Sequence, residues 1–143
     1  MTPFTDIYRL FLAKVNSYDL TTYTLEELEE DLLGYLELSI ANFTVCTKDL
    51  SEVENHSFKE KLNTKEKNIL ANFMVLEFLR PKMTTDELIV QAMTDKDIRM
   101  TSQANHLKLV MEHYKNLERR VNNEMNSYIV KQGLDGMKNA STK

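Results

Sequence analysis

Apolar residues return at three- and four-residue steps along most of this chain, the spacing that lines up one face of an α-helix. Ile7, Leu10, Phe11 and Val15 form one such stripe. Ahead of it, Thr2 can cap the helix and Pro3 suits its first position, where a missing N–H costs nothing. A first helix is therefore predicted over 3–16, ending in Asn16-Ser17-Tyr18-Asp19. Thr24-Leu25-Glu26-Glu27 reads as a capping box. Behind it Leu25, Leu28, Leu32, Leu36, Ile40 and Phe43 share a face and carry a second helix to about Cys46. Residues 47–62 lose the period, with Leu50, Phe58 and Leu62 as isolated anchors, and read as a connection with room for one helical turn.

A third helix opens after Asn63, with Glu66 as capping partner. Ile69, Leu70, Phe73, Met74, Leu76 and Leu79 make it apolar on two sides, so it is the expected centre of the molecule. Pro81 is expected to stop it. Thr84-Thr85-Asp86-Glu87 is a further capping box and predicts a short helix to about Met93. The last helix is predicted from Thr101 or Ser102 to Gln132, with Gly133 ending it. Leu107, Val110, Met111, Tyr114, Leu117, Val121, Met125 and Tyr128 give it a narrow seam, fit for neighbouring helices or another chain. The expectation is an all-α fold: a bundle of four to five helices with a long C-terminal helix, forming one domain over 5–132, and a flexible tail over 133–143.

Composition narrows this little. A chain of 143 residues supports one core. Three Gly and two Pro are too few for a β-sandwich, which needs turn residues every few positions. No apolar run is long enough to span a bilayer, and the first residues lack the pattern of a signal peptide. A lone Cys46 excludes an internal disulfide and fits a reducing compartment.

Charge changes the picture more. The net charge is −4, but residues 1–62 hold 12 acids and 5 bases, whereas 63–143 hold 10 acids and 13 bases. Glu26, Glu27, Glu29, Glu30, Asp31 and Glu37 make the outer face of the second helix acidic. On the last helix Lys108, Glu112, Lys115, Arg119, Asn122 and Asn126 form one polar stripe, and His106, His113, Arg120, Glu124 and Lys131 a second. Such faces are commonly just solvated, with i,i+4 pairs such as Lys108–Glu112 and Arg120–Glu124. They also suit a head-to-tail contact between copies, or a basic surface toward nucleic acid or an acidic partner.

Candidate chemistry is sparse. His106 and His113 stand two turns apart, too far for one ion. Asp95-Lys96-Asp97 fails as a calcium loop, because Met100 and His106 stand where Gly and Glu belong. Cys46 sits among Phe43 and Val45, where a small buried residue is expected rather than a nucleophile. No phosphate loop, nucleophile elbow or paired-carboxylate motif is present. The residues read as those of a non-enzyme without cofactor or metal.

Three segments in order carry a resemblance. They are Asp31-Leu32-Leu33-Gly34-Tyr35-Leu36 continuing to Phe43, the stretch from Ile69 through Asn72-Phe73-Met74-Val75-Leu76-Glu77-Phe78-Leu79-Arg80 to Pro81, and Ile98-Arg99-Met100-Thr101-Ser102-Gln103-Ala104-Asn105-His106-Leu107-Lys108. Ahead of a long C-terminal helix, they resemble the small head–tail connector (neck or head-completion) proteins of tailed bacteriophages, those of Gram-positive hosts above all. The resemblance implies a virion structural protein, present in the host cytoplasm during assembly. It would form a ring, a dodecamer, between portal protein and tail or neck proteins, extending the DNA channel in passing contact with packaged DNA and touching no membrane. On that reading Glu30, Asp31 and Glu37 face Lys115, Arg119 and Arg120 of the next subunit, and Leu88, Ile89, Met93, Ile98 and Met100 are candidates for portal or tail docking. The competing reading is a small helical regulatory adaptor or DNA-binding protein.

Overall fold

The computed structural model describes residues 1–15, 24–92 and 99–141, with side chains at 1–15, 24, 26–84 and 105–135. The elements run β1 (Thr2–Pro3), α1 (Phe4–Lys14), α2 (Leu25–Asn42), β2 (Val53–Glu54), β3 (Ser57–Phe58), α3 (Thr64–Ala92) and α4 (Arg99–Ser141). The fold is all-α, with four helices packed together and one small three-stranded sheet among the described residues.

Every residue from Ile69 to Leu79 is buried. A helix with one covered face would expose about half of such a run, so the middle of α3 must be enclosed. α1, α2 and α4 each pack against it. α1 contributes Ile7 and Phe11, with Val15 just after it, α2 contributes Leu32 and Leu36, and α4 contributes Val110, Leu117, Val121 and Tyr128. Phe11 meets Phe78 edge-on, with ring centroids 5.7 Å apart, a favoured aromatic geometry. The α4 seam follows the expected spacing with one exception: Met111 is 38% exposed.

Several boundaries differ from expectation. Pro81 does not stop α3, which runs on to Ala92. Buried Leu79 and half-buried Met83 hold the helix to the core on both sides of the proline, and the Thr84 hydroxyl donates to the Arg80 carbonyl at 3.3 Å. Residues 84–87 therefore open no separate helix. Gly133 does not end α4 either. α2 stops at Asn42, short of Cys46, with the Phe43 N–H donating to the Ser39 carbonyl.

The 47–62 connection forms a hairpin rather than a helical turn. β2 pairs antiparallel with β3, and β3 with β1, in the order β1-β3-β2. Asn55 and His56 both have positive φ, 50° and 56°, as a two-residue hairpin turn of the I′ kind requires. Thr2 does not cap α1, whose N-cap is Pro3. Its buried hydroxyl donates to the Glu60 carbonyl at 2.9 Å and accepts from the Leu62 N–H at 2.8 Å. That fastens the start of the chain to the segment leading into α3.

Candidate assembly surfaces

The capping box at the start of α2 is complete. Thr24 Oγ1 accepts from the Glu27 N–H at 3.2 Å, and the Glu27 carboxylate accepts from the Thr24 N–H at 3.0 Å. Those bonds hold the Glu27 carboxyl below its ordinary range. With Leu32 and Leu36 buried inward, Glu26, Glu29, Glu30, Asp31 and Glu37 are exposed. None of them is in an ion pair among the described residues. Their field reaches Tyr8: burial first, then Glu37 and Glu29, push its hydroxyl up to about 12.

Beside this face runs an apolar groove made of two adjoining open hollows, about 310 and 360 Å3. Phe4, Leu33, Leu36 and Ile40 make its floor and walls, with Val53 of the hairpin at one side. Glu29 and Glu30 rim one hollow, Glu37 and Glu54 the other.

The opposite charge lies on α4. Lys108, Lys115, Arg119, Arg120 and Lys131 are exposed. Arg119 and Arg120 line an open polar hollow of about 450 Å3 together with Lys65 and Glu124. The expected pairs Lys108–Glu112 and Arg120–Glu124 do not close among the described residues. Glu124 turns to α3 instead, accepting from Asn72 Nδ2 at 3.1 Å and from Asn68 Nδ2 at 3.5 Å. Lys115, Arg119 and Arg120 form no ion pair among the described residues.

A buried polar cluster escapes the sequence reading. Glu66 is fully buried. Its Oε1 accepts from the Asn63 N–H at 2.9 Å while Asn63 Oδ1 accepts from the Glu66 N–H at 2.8 Å, which completes the expected cap of α3. Its Oε2 accepts from the Tyr128 hydroxyl at 3.0 Å and from Cys46 Sγ at 3.6 Å, and Lys48 Nζ stands 3.8 Å from Oε1. Tyr128 has one proton, given to Glu66, so it accepts from the Thr47 N–H at 2.9 Å and from the Thr47 hydroxyl at 2.8 Å. Burial, with the Glu66 carboxylate nearby, pushes the Cys46 thiol up, away from the thiolate that a nucleophile needs. The cluster ties α4 to the start of α3 and to the loop after α2. Position was the available signal: Glu66 lies three and four residues before Ile69 and Leu70, on the apolar side.

In the middle of α3, Glu77 accepts from Asn42 Nδ2 at 3.2 Å and pairs with Arg80 at 3.2 Å, and Arg80 donates to the Tyr114 hydroxyl at 3.2 Å. Among the described residues no group of His, Cys, Asp and Glu could hold a metal ion, and no helix is long and apolar enough to cross a membrane.

Of the docking candidates, Leu88 and Ile89 fall in α3 and Met100 at the start of α4, with side chains outside the described set. Met93 and Ile98 lie outside the described residues. Compared with family models, curated proteins and solved structures, the chain finds no match.

Proposed function

We propose that this chain is a structural subunit of the neck of a tailed bacteriophage. It assembles into a ring between portal and tail, extends the DNA channel and offers a surface on which the tail docks. The observation that carries the reading is the pair of unneutralised, oppositely charged surfaces on one subunit: the acidic face of α2 and the basic stripes of α4. A ring needs heterologous contacts, so two different patches of one molecule must be complementary. The likeness of the three segments named above to connector proteins supplies the particle to which such a ring belongs.

The test removes the chain from phage production. DNA-filled heads and free tails that do not join, restored by supplying the chain in trans, are the expected result. Normal joined particles without it overturn the reading. The second reading, a helical adaptor or DNA-binding factor, rests on the hollow of Lys65, Arg119 and Arg120. It predicts a protein absent from virions, with nucleic-acid affinity that falls steeply as salt rises.

A further inference from the structure

Among the described side chains of α4, Tyr128 is the last buried one, and it is fixed to Glu66 in the first turn of α3. From Ile129 to Ser141 the helix continues, an arm of roughly 20 Å at 1.5 Å per residue. Ile129, Val130 and Leu134 on this arm are 46%, 61% and 54% exposed. Val130 and Leu134 stand four residues apart and are neighbours on one face, with Ile129 a step round the helix at its edge. Residues 129–141 hold Lys131 and Lys138 against Asp135. The arm is an apolar strip with positive charge.

The groove on α2 has the converse character. Its floor of Phe4, Leu33, Leu36 and Ile40 is apolar, and its rim carries Glu29, Glu30, Glu37 and Glu54. An amphipathic helix lays its apolar side into such a groove and sets its charges against the rim. A continuous helix cannot bend back onto its own body, so the arm of the same chain does not fill it.

We infer that the α4 arm of one copy, through Ile129, Val130 and Leu134, docks in the acidic-rimmed groove of the next copy. Arm and groove are different surfaces, so each subunit gives one contact and takes one, and the contact propagates head to tail. The apolar strip supplies affinity, and the glutamates and lysines set orientation and encounter rate. This rests on the self-assembly proposed above but not on a portal or a tail.

Sedimentation of the purified full chain tests it. The wild type should associate with rising concentration, up to about 1 mM, the limit of weak specific contacts. Ile129→Glu with Val130→Glu should abolish association, and Glu29→Lys with Glu30→Lys should weaken it by about tenfold or more. All four positions are exposed, and unchanged circular dichroism shows that the variants fold. The deciding step mixes the two variants. One keeps its groove and the other its arm, so the mixture should yield one-to-one dimers and nothing larger. A wild type that stays monomeric, an association that survives the arm substitutions, or a mixture that forms no dimer overturns the contact. The neck reading fails separately: a chain that self-associates this way while heads and tails join without it keeps the contact and loses the phage role.

Discussion

Tyr8 shows how one exposed helix face acts on a single residue. Its hydroxyl keeps its proton up to about 12 in the folded chain, against about 10 for free tyrosine. Between those values the unfolded chain has lost the proton and the folded chain has not, so stability falls as pH rises through that window. Burial also pushes the Tyr128 hydroxyl up, so absorbance titration should show a late tyrosine step to which both contribute, and Tyr8→Phe should shrink that step and soften the alkaline loss of stability. The Tyr128 hydroxyl has the larger structural task, because it joins Glu66 to Thr47. Tyr128→Phe keeps the ring against Phe43 but takes a hydrogen bond from the buried Glu66 carboxylate, so denaturant unfolding should show a loss of about 1–3 kcal/mol. Glu66→Ala should cost more, since it removes the cap of α3 as well.

At the scale of elements, what the sequence made legible was whatever depended on periodicity and local caps. The stripes of α1, α2 and α4, the boxes at Thr24 and Asn63, and the central place of α3 could all be read from spacing. What could not be read depended on contacts distant in sequence. Pro81 has a strong local effect, loss of one N–H and a clash with the preceding turn, yet burial of residues on both sides outweighs it. Gly133 is likewise a weak stop when nothing else favours a turn. The hairpin at 53–58 lacked the usual Asn-Gly signal, because His56 occupies a position with positive φ. Thr2 had a plausible local role as a cap and instead serves a partner some sixty residues away. The charged faces were legible, but the groove was not, because its walls come from α1, α2 and the hairpin together. If packing carries α3 through Pro81, Pro81→Ala should restore a backbone hydrogen bond and raise stability, by about 1–3 kcal/mol in denaturant unfolding. A loss of stability would show that the proline shapes the helix instead.

The whole molecule combines an enclosed central helix with charged surfaces that stay open to a partner. The core explains why the helices hold together; it does not explain acids on α2 and bases on α4 that form no ion pair among the described residues. The proposed ring gives both a partner. Exposed pairs contribute only about 0–1 kcal/mol each, so they serve register rather than affinity. Arg119→Glu with Arg120→Glu should leave melting unchanged while blocking incorporation into particles; normal incorporation and normal infectious titre would remove charge complementarity from the account. The most direct measurement of the central claim is quantitative mass spectrometry of purified virions, counting this chain against the portal protein. The account predicts a fixed number of copies in every infectious particle, a dodecamer if the likeness to connector proteins extends to ring size. Virions that lack the chain, or hold it in no constant ratio to the portal, would contradict it.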